Sequence, residues 1–174
     1  MPTSSKEGKK EIVDWCRELA NINFILDIGA GKGTYVNLLK KRKLFREAHW
    51  TGIEAWTPYV TQYKLDELYN TLIDSDVRKV NFDNLYFDLI FMGDVLEHMT
   101  KDEAILLVTV LSKISKYCVI SIPIVHYPQD EIFNNPFEKH VKDDWSHDEV
   151  MASFPNIVKT FQGTEIGCYL LQFK

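Results

Sequence analysis

Cysteine is scarce in this sequence, and its placement excludes two chemistries. The three cysteines, Cys16, Cys118 and Cys168, are odd in number and widely separated, which fits neither a disulfide framework nor a CxxC zinc site. Cys118 lies in an apolar run and reads as a buried thiol. An excess of positive charge is also missing: 20 lysines and arginines stand against 25 aspartates and glutamates, a net charge of −5. That balance counts against a broad nucleic-acid-binding face. The one basic strip, Lys40 to Lys43 with Arg46, reads as a solvated helix end whose cations favour the C-terminal dipole. No run is long and apolar enough to span a membrane. The polar, lysine-rich start from Met1 to Lys10 has no apolar stretch behind it, so a cytoplasmic setting without membrane partners is expected. The five histidines are too dispersed to offer metal-ligand spacing, and no metal site is expected.

What is present is an apolar content of 45% over 174 residues, enough for one ordinary core and too little for two. One domain over residues 1–174 is therefore expected. Strand-like and helix-like runs alternate, the pattern of an α/β domain with a mostly parallel sheet. A first helix is predicted within residues 1–20, from Glu7 to Ala20, with Ile12, Val13, Cys16 and Leu19 facing inward. Strands are predicted at Asn23–Ile28, Trp50–Glu54, Thr71–Asp74, Phe87–Met92 and Tyr117–Ile124, and two closing strands at Ile157–Phe161 and Cys168–Phe173. Thr57-Pro58 reads as an N-cap with proline behind it, opening a helix to Tyr69. Capping boxes are predicted at Thr100–Glu103 and Ser146–Glu149. Between Pro123 and Trp145 the pattern lapses into a long polar and aromatic loop, a length that usually carries function.

The densest chemical signal is Asp27-Ile28-Gly29-Ala30-Gly31-Lys32-Gly33. A buried strand feeds a tight turn whose backbone must lie close to a ligand, and the following helix start offers unpaired N–H groups to an anion. A dinucleotide site wants GxGxxG, whereas the spacing here is GxGxG. A carboxylate two residues before the first glycine suits an ammonium-bearing ligand better than a pyrophosphate. A Walker loop is excluded, because no glycine-lysine-serine/threonine end follows at the required gap.

At these residues the chain resembles the class I S-adenosylmethionine-dependent methyltransferases, of the small type-11/12-like kind, over nearly its whole length. The resemblance implies a Rossmann-like domain with a seven-stranded, mostly parallel sheet of order 3-2-1-4-5-7-6, its last strand antiparallel and helices on both faces. It implies S-adenosylmethionine as cofactor, held by Asp27, Gly29, Ala30 and Gly31. Gly52-Ile53-Glu54 resembles the second-strand end whose acid takes the ribose hydroxyls. Two carboxylate oxygens suit a vicinal diol. Asp74-Ser75-Asp76-Val77 resembles the adenine-binding turn, with Asp76 and Val77 as contacts and Asp74 as competitor. Phe91 to His98 is similar to the segment beside the methionine moiety, with Asp94 and Val95 as contacts. Glu97 and His98 read either as part of the site or as a structural hydrogen-bonded pair.

The resemblance leaves the acceptor open. Methyl transfer needs orientation and exclusion of water, and a base only when the acceptor is a weak acid. The loop 125–147 holds His126 and His140, the two candidate catalytic bases, with Trp145 and Phe137 expected to anchor it. The expected activity is methyl transfer to an oxygen or nitrogen of a small molecule, a saccharide or other metabolite. An RNA or protein methyltransferase using the Lys40–Arg46 strip, and a non-catalytic cofactor-binding partner subunit, are the alternatives. An NAD-linked oxidoreductase is weaker, limited by the glycine spacing.

Overall fold

The computed structural model describes residues 5–173, so residues 1–4 of the expected N-terminal segment lie outside the described residues. Seven strands form one sheet: β1 (Phe24–Ile28), β2 (His49–Glu54), β3 (Thr71–Asp74), β4 (Phe87–Gly93), β5 (Ser115–Pro123), β6 (Ile157–Gln162) and β7 (Ile166–Gln172). Their order is β3-β2-β1-β4-β5-β7-β6. β7 runs antiparallel to both neighbours and the other pairs are parallel. The helices are α1 (Lys9–Glu18), α2 (Thr34–Lys41), α3 (Thr57–Tyr63), α4 (Leu65–Leu68), α5 (Lys101–Leu111) and α6 (His147–Ser153).

Successive strand residues point to opposite faces, and the two apolar layers divide on that parity. Leu89, Phe91, Val119 and Leu170 join Ile12, Cys16, Val36 and Leu39 of α1 and α2 on one face. Ile90, Met92, Ile120 and Leu171 join Leu107, Leu111 and Val150 of α5 and α6 on the other. The strands are apolar along both faces because both are covered. α1 is shorter than expected, and it buries Trp15 rather than Leu19, which is only half-buried.

Three local expectations need correction. Thr57 is the first helical residue and Trp56 the N-cap, because the Thr57 hydroxyl donates to Asp74 at 3.0 Å instead of capping. The helix expected to reach Tyr69 breaks at Lys64, whose φ of 52° lies in the left-handed region. At α6 only half of the second capping box forms. Ser146 accepts from the Glu149 N–H, but the Glu149 carboxylate pairs with Lys101 and Lys142. The box at Thr100–Glu103 is complete.

The N-terminus is tied to the far edge of the sheet. Glu7 accepts from the N–H groups of Thr164, Glu165 and Ile166 at 2.9–3.0 Å. Lys9 is half-buried and donates to the Tyr35 hydroxyl at 2.8 Å, and Tyr35 donates to Ser121 at 3.0 Å. Tyr35 stacks on Phe91 with ring centres 4.7 Å apart and occupies the space a Cβ on Gly93 would need. A Gly93→Ala substitution is expected to push Tyr35 off this cluster and destabilise the protein by about 1–3 kcal/mol, the usual cost of overpacking. Urea denaturation measures it, and an unchanged midpoint would refute the packing account.

Candidate active site

The order of the sheet reverses between β1 and β4, and ligands of open α/β sheets bind in the crevice at that point, beyond the carboxyl ends of the strands. Here that crevice is a cavity of about 470 Å³, within the range of small-molecule sites. Asp27, Gly29, Ala30, Gly31, Glu54, Asp76, Val77, Asp94 and Val95 all line it, so the fold gathers every residue expected around the cofactor.

At the end of β1, Gly29 has φ of 70°, and a Cβ there would sit 2.7 Å from a Val95 methyl. Only glycine lets the turn lie this close to the segment after β4. The turn's N–H groups are engaged from within. Those of Gly29 and Ala30 donate to the Ile53 carbonyl at 2.9 Å, and that of Gly33 to the Ala30 carbonyl at 2.7 Å. That of Gly31 donates to Glu54 Oε2 at 2.8 Å. These four groups are therefore not a free anion cradle.

Asp27 is buried and accepts from the Tyr69 hydroxyl at 2.6 Å. Burial pushes its carboxyl up from 3.8 to about 7, against the pull of Tyr69 and Lys9. Glu54, also buried, accepts from the Trp56 N–H at 2.9 Å as well as from Gly31. Burial raises its carboxyl too, and the backbone donors oppose the shift. Of the two acids in the third-strand turn, Asp76 lines the cavity and Asp74 is exposed and bound to Thr57. Asp76 is held by the guanidinium and N–H of Arg78.

The chain after β5 folds back over the cavity. The Glu97 carbonyl accepts from the N–H groups of Val141 and Lys142 at 2.8 and 3.0 Å, and the Gln129 carbonyl from His140 N–H at 2.9 Å. Tyr59 donates to Glu138 at 3.0 Å. His140 thereby forms part of the cavity wall. Its Nδ1 lies 2.6 Å from the Tyr127 carbonyl, and His98 Nδ1 lies 3.0 Å from the Lys139 carbonyl. A carbonyl only accepts, so both rings carry their proton on Nδ1 and keep a lone pair on Nε2 when neutral.

His126 is not part of this arrangement. Its side chain is exposed, 3.5 Å from the Asp143 carboxylate, and does not line the cavity. It precedes the point where Tyr127 N–H pairs with the Asp143 carbonyl and the loop turns inward. Trp145 anchors the loop in the core beside Phe154, whereas Phe137 faces the cavity. Glu97 and His98 are not bonded through their side chains. Glu97 is buried, and its Oε2 has no hydrogen-bond partner among the described residues. Burial, then the nearby Asp94, drives this carboxyl well above the usual range. Although spacing along the chain predicted no metal-ligand set, ligand atoms of Glu97, His98 and His140 lie within 4.8 Å of one another. Sequence reasoning also missed Tyr59, Gln129 and Glu138 in the wall. Gln129 and Glu138 lie in the loop 125–147 that the sequence had marked and were findable there, but nothing marked Tyr59.

A methyltransferase domain family matches residues 26–111. No curated protein matches the chain. A S-adenosylmethionine-dependent methyltransferase from Clostridium acetobutylicum ATCC 824 superposes with a TM-score of 0.72 at 15% identity, covering 99% of this chain and 93% of that one. The N-terminal domain of EvdMO1 with S-adenosylhomocysteine bound gives 0.70 at 13% identity, covering 98% and 83%. Magnesium protoporphyrin IX methyltransferase from Synechocystis PCC 6803 with bound S-adenosylmethionine gives 0.65 at 13%, covering 97% and 79%. Fold and matched segment together define a Rossmann-like methyltransferase. The chain shares the fold of the class I S-adenosylmethionine-dependent methyltransferases and, over residues 26–111, the segment of a methyltransferase domain, and the cofactor this implies is S-adenosylmethionine.

The residues fit that cofactor. Asp27 is a buried acid that forms no ion pair among the described residues, and the glycine turn leaves room where a side chain would intrude. Asp27 also generates a pH effect. Its folded pKa of about 7 exceeds its ordinary 3.8, so between these values the folded state holds more protons than the unfolded one. Stability from this group is present at low pH and is lost as pH rises towards about 7. Asp27→Asn keeps an acceptor for Tyr69 without the charge. Without cofactor, its stability relative to wild type should rise from about pH 5 to about pH 8, measured by urea midpoints. Parallel curves would exclude the effect.

Proposed function

We propose that the enzyme methylates an oxygen or nitrogen of a small acceptor, a saccharide or other metabolite, seated between the glycine turn and the loop 125–147. The observation that carries this reading is that one cavity is walled both by Asp27, Glu54 and Asp76 and by His140 and Phe137. Asp27 takes the ammonium of the methionine moiety, and Gly29, Ala30 and Gly31 give its backbone room. Glu54 accepts from the ribose diol, Asp76 and Val77 meet the adenine, and Asp94 and Val95 flank the methionine chain. S-adenosylmethionine supplies an electrophilic methyl carbon, taken in line as the carbon–sulfur bond breaks with its electron pair remaining on sulfur. The protein's part is to align the nucleophile and exclude water. The small molecule named for the Synechocystis enzyme supports a small acceptor here. A cytoplasmic enzyme is the setting in keeping with a chain in which no helix of the described residues is long and apolar enough to cross a membrane.

The basic strip adds little to the RNA or protein reading. α2 begins at the cavity and carries the chain back towards the start of β2, so Lys40 and Lys41 in its last turn lie at the opposite edge of the sheet. A non-catalytic partner subunit would have no use for His140 held in one tautomer over the cavity.

Glu54→Ala is expected to weaken S-adenosylmethionine binding roughly 10- to 100-fold, the scale of one or two charge-assisted hydrogen bonds, read by calorimetry. Because Glu54 also holds Gly31, the melting temperature is followed in parallel. Unchanged affinity in a folded variant removes the ribose assignment. His140→Ala should lower turnover by about 10²-fold or more while donor affinity persists, and His126→Ala should leave both unchanged. The reverse pattern would return the catalytic role to His126.

A further inference from the structure

We propose that Glu97, His98 and His140 form a binding site for a divalent first-row transition-metal ion, open towards the acceptor side of the cavity. Three independent observations converge on it.

The first is an unanswered buried atom. Glu97 is 1% exposed and its Oε2 has no hydrogen-bond partner among the described residues. Native folds rarely leave such an atom unpaired unless something else binds it. The ammonium of Lys9 does not serve, since it donates to Tyr35 and Ser121.

The second is the state of the imidazoles. Both Nδ1 atoms are tied to main-chain carbonyls, of Lys139 for His98 and of Tyr127 for His140. This is how metal-ligating histidines are oriented, with the second nitrogen bonded to an outer partner and the Nε2 lone pair free. The two rings meet edge to face with centres 5.0 Å apart.

The third is distance. The three ligand atoms lie within 4.8 Å of one another. Metal–ligand bonds of about 2.1 Å bring ligand atoms to roughly 3–3.5 Å, so ion binding would draw the three side chains together. Two imidazoles with one carboxylate suit Mn²⁺, Fe²⁺, Co²⁺ or Zn²⁺, whereas Mg²⁺ and Ca²⁺ prefer all-oxygen sets. Three protein ligands leave coordination positions for an acceptor.

This deepens the proposed reaction, and the acceptor part rests on the methyl-transfer reading. An acceptor hydroxyl bound to the ion is acidified. Its proton leaves to water, and the oxygen lone pair forms the bond to the methyl carbon. His140 then acts by holding the ion and not by taking the proton itself, and oxygen becomes the favoured acceptor atom.

The test uses the full, untagged chain stripped with chelator and titrated with Co²⁺ alone, followed by calorimetry and visible absorption. One equivalent should bind with a d–d band of a mixed nitrogen–oxygen site. Glu97→Gln should weaken binding by more than roughly 100-fold, beyond the loss typical of an outer-shell change. His140→Ala, with its melting temperature followed in parallel, should do the same, and His126→Ala should bind as wild type. Absence of binding in the wild type, or wild-type affinity in both site variants, overturns the proposal. S-adenosylmethionine affinity is measured on the same samples. Donor binding without Co²⁺ binding removes the metal site alone, and Co²⁺ binding without donor binding removes the methyl-transfer reading alone.

Discussion

β1 and β4 are hydrogen-bonded neighbours although the whole of β2 and β3 with their helices lies between them in the chain. From β1 the chain winds outward on one side. It then returns past its starting point to lay β4 on the other. α2 leaves β1 on one face of the sheet and α5 follows β4 on the opposite face, so no crossover bridges the gap above their carboxyl ends. The closeness of this pairing is visible at Gly29, whose missing side chain leaves room for Val95. Widening the crevice by one side chain would separate the turn after β1 from the segment after β4, and the cavity is made of those two pieces.

Three carboxyl groups are buried around that crevice, and each is satisfied to a different degree. Glu54 holds two backbone N–H groups, Asp27 a single hydroxyl, and Glu97 nothing on Oε2. A buried acid without donors is costly, so this ranking also orders how much each group stands to gain from a ligand. Glu54 already has a structural task in fixing the glycine turn and can accept further bonds without being remade. Asp27 sits at the margin of ionisation. A cationic ligand beside it favours the charged form, against the burial that favours the neutral one.

Much of this was legible in the sequence because it rests on local chemistry. Alternating glycines after a buried strand, a threonine three residues before a glutamate, and acids closing apolar runs each have one physical reading, and the strands, the α5 cap and the gathering of Asp27, Glu54 and Asp76 at one cavity followed from them. The misreadings arose where tertiary partners competed. Thr57 has the chemistry of a cap, yet Asp74 across the sheet edge takes its hydroxyl. Glu149 has the spacing of a capping box, yet two lysines from elsewhere claim its carboxylate. The two loop histidines were equivalent by composition, and only the pairing of the returning chain with Glu97 and Gln129 separates His140 from His126.

That pairing also decides what kind of loop this is. A lid that opens freely would be bound through side chains and rim contacts, but here the main chain of Val141 and Lys142 donates to the carbonyl of Glu97, and His98 reaches the carbonyl of Lys139. The loop wall of the cavity is thus attached to the segment that follows β4, the same segment that brings Asp94 and Val95 to the cavity. Glu97 belongs to both, its carbonyl fixing the loop and its carboxyl facing the cavity. Whatever engages that carboxyl acts directly on the anchor of the loop, so the two walls of the cavity share one attachment in the main chain.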